Sequence, residues 1–267
     1  MKLIADTHTH TLASTHAYST VLENAKFASE AGLSYLGITD HAPGMTDAPH
    51  WWHFENLRVL PDELYGVKLL KGIEADLCGF SGELDVTNDQ LSILSWVVAS
   101  IHRQVMPKGN TEEITSAYIG AARNPYVDVI GHSGLAAYPY DYDAAIQAAG
   151  GLDLVILGLG ERGHVAFNEP GAGFGEKTHI AKLAEVTREA IAADFGTLEQ
   201  TPEHGITIGI HTILGAKKIL LVGFGACCAK AANATLTGRP ETFIPASFLQ
   251  LHTDVEVYLD ADAAAQL

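Results

Sequence analysis

The sequence predicts an α/β protein built around a mostly parallel sheet. Eight short apolar runs rich in Val, Ile and Leu recur along the chain. Continuous apolar runs of strand length are typical of strands that are covered on both faces, as in parallel sheets. Helix-forming segments lie between several of these runs, so that strands and helices alternate. Polar residues also end successive strands at a regular spacing, which favours repeated β–α units.

The predicted elements follow in chain order. The strands are KLIAD, LSYLGITD, VKLLKGIEAD, SWVVASIH, VDVIGH, LDLVILGLG, AKKILLVGFG and VEVYLD. The helix STVLENAKFASEAG has Ser19 or Thr20 as its cap and Gly32 as its stop. The helix TEEITSAYIGAARNP has Thr111 as its cap and ends before Pro125. The helix DYDAAIQAAGG ends at a pair of glycines, and we expect no flexible linker after it.

The bulk composition limits the classes of partner. The formal net charge of −16 disfavours binding to nucleic acid or to anionic lipid. No run of about 18 apolar residues is present, so we expect no membrane span. The beginning MKLIADTHTH lacks the apolar region of a secretory signal, and we therefore expect a cytoplasmic protein.

Histidine and glutamate residues end five consecutive predicted strands. His8, His41, Glu74, His102 and His132 are separated by 33, 33, 28 and 30 residues, which is about the length of one β–α unit. The carboxyl ends of parallel strands face the same way, so their side chains are expected to meet at one rim.

His10 and His16 follow His8 closely and extend this group to seven side chains. Any one of these histidines is more often a hydrogen-bonded core residue than a ligand. Seven imidazole and carboxylate side chains at one rim would be costly to leave unpaired, and metal ions resolve that cost. Imidazole and carboxylate ligands suit zinc, iron or manganese, and Glu74 is able to bridge two ions.

The motifs around these residues closely resemble the PHP (polymerase and histidinol phosphatase) superfamily, in particular small bacterial phosphatases with a trinuclear metal site. The motifs are DTHTHTLASTHAYS, ITDHAPGMTDAPHWWHF, GIEADL, IHRQ and VIGHSG. The resemblance implies a distorted (βα)7 barrel that hydrolyses a small phosphorylated substrate by attack of a metal-bound hydroxide. It also implies two or three divalent ions, zinc first and manganese or iron as alternatives, held by His8, His10, His16, His41, Glu74, His102 and His132.

Two further points qualify this resemblance. Asp40 is expected either to orient a ligand or shuttle a proton, or to make a strand-end hydrogen bond. The family ends its site with an Asp-x-His pair on a late strand, and no such pair occurs after His132. His211, His252 or Asp254 are candidates to replace it, without a spacing argument for any of them.

The segment VILGLGERGHVAFNEPG carries a second candidate site. Its glycines follow a buried strand and would let the backbone approach a substrate, although a simple tight turn explains them equally well. His164 and Glu169 are candidates for a catalytic base and the group that orients it.

From residue 151 onward the sequence resembles the C-terminal half of glucosamine-6-phosphate deaminase (the NagB family). The matching segments are LGLGERGHVAFNEPG, THIAKL, VTREAIAADF, GITIGIHTIL, AKKILLVGFG and PASFLQLH. The resemblance implies a doubly wound, Rossmann-like sheet, ring opening assisted by His164 and Glu169, and Arg188 near the substrate phosphate. The family's phosphate loop and proton-transfer base belong to its absent N-terminal half. Arg162, His179 and Cys228 also depart from its pattern.

These observations predict a PHP-like module over residues 1–140 and a deaminase-like half over residues 141–267, joined near residues 141–152. We expect a partial PHP-like (βα)7 barrel that continues into the Rossmann-like half as one layered body. Whether LDLVILGLG lies beside VDVIGH in one sheet stays open. An open sheet would leave an edge strand that favours a homo-oligomer. Three functions stay open: a metal-dependent phosphoesterase, a glucosamine-6-phosphate deaminase/isomerase-like enzyme, and an engineered or recombinant chimera that binds metal without activity.

Overall fold

A computed structural model describes residues 4–267 of the protein. The chain divides into two compact units, Met1–Ala149 and Gly150–Leu267. Each unit has its own core. None of the described helices is long and apolar enough to cross a membrane.

The first unit is built on a parallel sheet. Its strands lie in the order β1-β2-β4-β5-β6, and the short β3 pairs antiparallel with β4. In the described part of the chain β1 and β6 each pair with one neighbour, so the sheet is open, as in a partial barrel. Closure into a (βα)7 barrel is not seen among these strands. The strands are β1 (Ala5–Thr9), β2 (Tyr35–Ile38), β3 (Glu63–Leu64), β4 (Val67–Asp76), β5 (Trp96–Ser100) and β6 (Val129–Ile130).

Four of the five helices described in the first unit begin at a capping side chain, and the short helix Trp52–Asn56 does not. Thr20 caps α1 and exchanges hydrogen bonds with Glu23 in a capping box. Asn110, and not the predicted Thr111, caps α4, because the Asn110 side chain accepts the hydrogen bond of the Glu113 N–H. The helices are α1 (Val21–Glu30), α2 (Trp52–Asn56), α3 (Asn88–Leu91), α4 (Thr111–Arg123) and α5 (Tyr142–Ala148), with a 3₁₀ turn at Leu57–Val59.

Apolar side chains of these strands and helices form two clusters in the first unit. Ile38 and Ile73 are fully buried in one cluster, and Leu77 and Ile114 are fully buried in the other. This burial explains the continuous apolar runs of the sequence. It also holds the strand ends that carry the histidines.

The second unit contains a three-stranded parallel sheet and a separate antiparallel ribbon. The sheet has the order β11-β10-β7, and β8 pairs with β9 in the ribbon. The strands are β7 (Leu154–Gly158), β8 (His179–Lys182), β9 (His204–Thr207), β10 (Lys218–Gly223) and β11 (Val255–Leu259). The helices are α6 (Glu185–Phe195), α7 (Ile210–Leu214) and α8 (Ala229–Thr237), with 3₁₀ turns at Ala226–Cys228 and Pro245–Leu251.

The sequence leaves open whether LDLVILGLG lies beside VDVIGH, and in the structure the two segments belong to different sheets. The first of these segments forms β7, and β7 pairs with β10 in a sheet that does not include β6. Val155 and Leu157 on one face of β7 are buried in a core with Ile219 and Leu221, whereas Ile156 on the other face is 58% exposed. In the described part of the second unit, β7 is therefore buried on one face. In the predicted doubly wound sheet both faces would be covered.

Candidate metal centre

The seven predicted ligand residues lie at neighbouring strand ends of the first unit. His8 lies in β1, and Glu74 lies near the end of β4, where it forms a bridge with His41 from the segment after β2. His102 and His132 lie two residues beyond the ends of β5 and β6. The parallel register of these strands brings side chains from five chain segments into one cluster, as their spacing predicts.

Three imidazoles surround one oxygen of the Glu74 carboxylate. Oε2 lies 2.9 Å from Nδ1 of His41, 3.2 Å from Nε2 of His8 and 3.4 Å from Nε2 of His10. The Glu74 side chain is fully buried. A buried carboxylate needs strong partners because its desolvation is costly.

The second oxygen of Glu74 faces two further histidines. Oε1 lies 2.8 Å from Nε2 of His132 and 3.6 Å from Nε2 of His102. His132 is the open side of the cluster, since 49% of its side chain is exposed. Glu74 is thus the common centre of five histidines.

The geometry of this cluster suits metal ions better than it suits hydrogen bonds. His8 Nε2, His41 Nδ1 and Glu74 Oε2 are buried and close together, yet none of them makes a hydrogen bond. A tetrahedral zinc ion with bonds of about 2.1 Å separates its ligand atoms by roughly 3.4 Å. The five separations around Glu74 range from 2.8 to 3.6 Å, and those to His8, His10 and His102 lie within about 0.2 Å of that value.

Three groups of side chains could each hold an ion. The ligand atoms of every group lie within 4.8 Å of one another, and all seven predicted residues occur in at least one group. Glu74 belongs to two groups, so its two oxygens are placed to serve two ions. The groups are His10 with His16 and His41, His8 with Glu74 and His132, and His41 with Glu74 and His102.

The electrostatics of the cluster are dominated by Glu74. Burial would raise the pKa of its carboxyl, but His132, His41 and His8 hold that pKa well below its usual range. Burial opposes the charge of His41, and the contact with Glu74 outweighs burial and raises the pKa of His41. For His10, burial and the neighbouring His41 lower the pKa to about 4, which leaves a neutral imidazole that is ready to bind a metal.

Two carboxylates outside the seven orient histidines of the cluster. Nδ1 of His102 donates to Asp76 Oδ1 at 2.6 Å, and Nδ1 of His16 lies 2.5 Å from Asp47 Oδ2. In each pair the contact fixes the orientation of the ring and leaves its Nε2 free for another partner. Such carboxylate–histidine pairs are typical of metal sites.

The profile of the PHP domain family matches residues 6–156. The chain belongs to the PHP domain family. The match covers more than half of the chain and includes all seven residues of the cluster. PHP domains usually bind metal ions, and the His and Glu groups of this chain could hold them.

Two curated relatives illustrate the likeness of this PHP chain to known proteins. A probable phosphatase of Clostridium novyi is 46% identical over 156 residues, which are 58% of this chain and 64% of the relative. A probable phosphatase of Shewanella sediminis is 42% identical over 195 residues, which are 71% of this chain and 75% of the relative. The chain thus spans less than two thirds of the length of the first of these relatives.

A solved structure of a monomeric glucosamine-6-phosphate deaminase also resembles the chain. The superposition covers 100% of both chains with 22% identity and a TM-score of 0.47. This likeness is too weak to establish a shared fold. The interpretation of the PHP chain as a chimera is not confirmed and stays a hypothesis.

Both carboxylate oxygens of Asp40 accept hydrogen bonds in the structure. Its carboxylate accepts bonds from Thr11 N and Oγ1 and from Ser14 Oγ, and it lies 3.1 Å from Nε2 of His53. Burial would raise the pKa of Asp40, but these partners, led by His53, hold it well below its usual range. Asp40 therefore anchors the loop between His10 and His16 to the end of β2, which favours the hydrogen-bonding alternative.

The structure does not supply an obvious replacement for the missing Asp-x-His pair. Among the residues from Ile4 onward, no metal-binding group includes a side chain beyond His132. His252, one of the candidates, uses Nε2 to contact Ala216 O at 2.7 Å. His211 and Asp254 also lie in the second unit and join none of the three groups.

The predicted deaminase-like residues lie in the second unit, and His164 lines a cleft of about 530 Å³ together with Gly158 and Gly160. His164 Nδ1 and Glu169 Oε2 are buried without hydrogen bonds, so these two atoms do not form a base–orienter pair. Glu169 Oε1 instead accepts a hydrogen bond from Thr187 Oγ1 at 2.5 Å. Burial lowers the pKa of His164 despite the nearby Glu169 charge.

Arg188, the predicted phosphate-binding residue, makes structural contacts. Its Nη2 donates to Leu198 O and to Thr201 O, each at 2.9 Å. These bonds tie α6 to the segment that follows it. A phosphate contact for Arg188 stays a prediction that this geometry does not favour.

Three residues of the first unit were not recognised from the sequence. Asp76 lies two residues after Glu74 on the same strand, and the period-two alternation of strands would have placed both on one face. Asp47 lies in the loop after β2 and His53 lies in the five-residue helix α2, and neither segment has a periodicity that indicates side-chain orientation.

Proposed function

We propose that the protein is a metal-dependent phosphatase that hydrolyses a small phosphomonoester. The observation that carries the proposal is the convergence of five histidines on the buried Glu74 carboxylate. The probable phosphatases among its relatives support the same reaction class.

Seven residues would hold the ions in this proposal. Glu74 would bridge two of them, and Asp76 and Asp47 would keep His102 and His16 in position. Divalent ions supply Lewis-acid stabilisation for the charge that develops on a phosphoryl group. Asp40 would hold the His10–His16 loop against the strand end, which keeps the ligand atoms preorganised.

Metal analysis paired with phosphate release tests this function. We expect two or three equivalents of zinc, manganese or iron per chain, and phosphate release from a phosphomonoester panel that chelation abolishes. Glu74→Gln should lose the bound metal and lower kcat/KM by more than about 100-fold. Glu112→Gln makes the same chemical change at an exposed position of α4, so it should retain metal and activity.

A second variant tests whether metal loss in Glu74→Gln results from the missing ligand or from misfolding. His132→Gln removes one candidate ligand at a position that is half exposed, and it should also lose metal while retaining its circular dichroism spectrum. Metal-independent phosphate release would contradict the proposal. Release of ammonia from glucosamine 6-phosphate that survives chelation would instead support the deaminase-like function.

A further inference from the structure

A cleft of the first unit lies between the loops that follow β5 and β6. It has a volume of about 480 Å³ and is lined by residues 103–108 together with Ala137 and Tyr138. These two loops begin directly after His102 and His132, the residues that face Glu74 Oε1. The cleft therefore opens at the same strand ends as the metal centre.

The floor of this cleft is a rigid junction between the two loops. Val105 N and Met106 N both donate to His102 O, at 3.1 and 2.9 Å, and thereby form a tight turn. The buried Tyr138 donates its hydroxyl to Met106 O at 2.7 Å. Met106 and Tyr138 are only 2% and 3% exposed, so the loop carrying Arg103 and Lys108 is held from beneath.

The charge of the cleft is opposite to that of the chain. Arg103 and Lys108 are exposed at the cleft, and no Asp or Glu lines it. Within the described residues neither cation has an ion-pair partner. Two cations and no acidic group line this cleft, in a protein with 32 acidic and 16 basic residues, and such a lining suits an anionic ligand.

In the proposed function the scissile phosphate lies at the metal centre. His102 and His132 do not line the cleft, and Arg103 follows His102 directly in the chain, so the cleft lies next to a candidate ligand and contains none. A substrate whose phosphate lies at the ions would extend its leaving group over the neighbouring loop. The planar guanidinium of Arg103 is shaped to bind a carboxylate or a second phosphate through two hydrogen bonds.

Building on the proposed function, we infer that this cleft binds the leaving group of the substrate, and that Arg103 and Lys108 select phosphomonoesters that carry a second anionic group. The proposed substrate is therefore a small phosphorylated acid or a bisphosphate. Neither residue takes part in bond cleavage, so both act on substrate affinity.

A matched pair of three-carbon substrates tests this inference. We expect the metal-loaded protein to have a lower KM for 3-phosphoglycerate than for glycerol 3-phosphate, which lacks the carboxylate. Arg103→Gln with Lys108→Gln should raise the KM for 3-phosphoglycerate about tenfold and leave kcat and the KM for glycerol 3-phosphate within about twofold. Arg123→Gln with Lys26→Gln removes two exposed cations outside the cleft and should change neither KM.

Calorimetric titration of the metal-loaded protein with non-hydrolysable phosphonate analogues of the two substrates provides a readout without turnover. The wild-type chain should bind the analogue of 3-phosphoglycerate more tightly than that of glycerol 3-phosphate, and the cleft variant should lose that difference. An equal loss of affinity for both ligands in the cleft variant, or no loss for either ligand, would overturn the inference. Phosphatase activity of the wild-type chain would in that case leave the proposed function intact. A wild-type chain that hydrolyses neither substrate nor any other phosphomonoester would refute both.

Discussion

The Asp76 carboxylate accepts a 2.6 Å hydrogen bond from Nδ1 of His102, and this bond turns Nε2 of His102 toward Glu74 Oε1, 3.6 Å away. Asp76 is fully buried and lies two residues after Glu74 on β4. One strand thus supplies both the central carboxylate of the cluster and the group that orients a histidine from the next strand.

Asp76→Asn should weaken metal binding without removing a ligand. The amide cannot hold the His102 ring in the same tautomer as strongly, so we expect metal affinity to fall by about 10- to 100-fold. Competition with a chromophoric chelator measures this change. Asp89→Asn, an exposed change in the first turn of α3, is the control, and equal affinities in both variants would contradict the orienting role.

Removal of the ions should destabilise the folded chain. Ions present at about 1,000 times their dissociation constant stabilise the native state by about 4 kcal/mol, because the unfolded chain lacks the site. For a chain of this size the loss corresponds to a fall in Tm of about 10 °C. Differential scanning calorimetry with and without chelator measures it. The chelator should have no effect on Glu74→Gln, and an equal fall in that variant would argue against ion binding at this centre.

Asp40→Asn should destabilise the protein in a pH-dependent way. The pKa of Asp40 is lowered in the folded state, so its stabilisation is present above the ordinary value of 3.8 and is lost as the pH falls below that value. We expect a loss of about 2–4 kcal/mol between pH 5 and 8, since several hydrogen bonds to a buried charge are weakened. Urea unfolding of metal-free wild type and variant across this range measures the difference. A difference that grows on acidification would have the wrong sign.

Arg188→Gln should affect stability and not catalysis. Its guanidinium donates to two backbone carbonyls, so the variant should lose about 1–3 kcal/mol of unfolding free energy in the second unit. The KM of any phosphatase activity should stay unchanged. Hydrogen exchange of the segment from Glu185 to Thr201 locates the loss, and exchange equal to that of the wild type would contradict the structural role.

Local patterns were sufficient for most of the first unit. The apolar runs located all five strands of its parallel path, and the 28- to 33-residue spacing placed His8, His41, Glu74, His102 and His132 at one rim. The β8–β9 ribbon was missed because each of its strands is only four residues long and contains no apolar run of strand length. Ile180 and Ile206, which pair across that ribbon, are 71% and 44% exposed.

The sequence predicted the chemistry of the cluster, because the ends of consecutive parallel strands bring their imidazole and carboxylate groups together at one edge of the sheet. The same residues did not decide the partner of β7. The helix DYDAAIQAAGG is compatible with a strand on either sheet, and its pattern holds no information about distant neighbours. Only the tertiary structure decided which strand pairs with β7. In the folded chain Val155 and Leu157 are buried with Ile219 and Leu221. Pairing between strands more than 60 residues apart depends on which apolar faces can be covered together, and a local pattern does not contain that information.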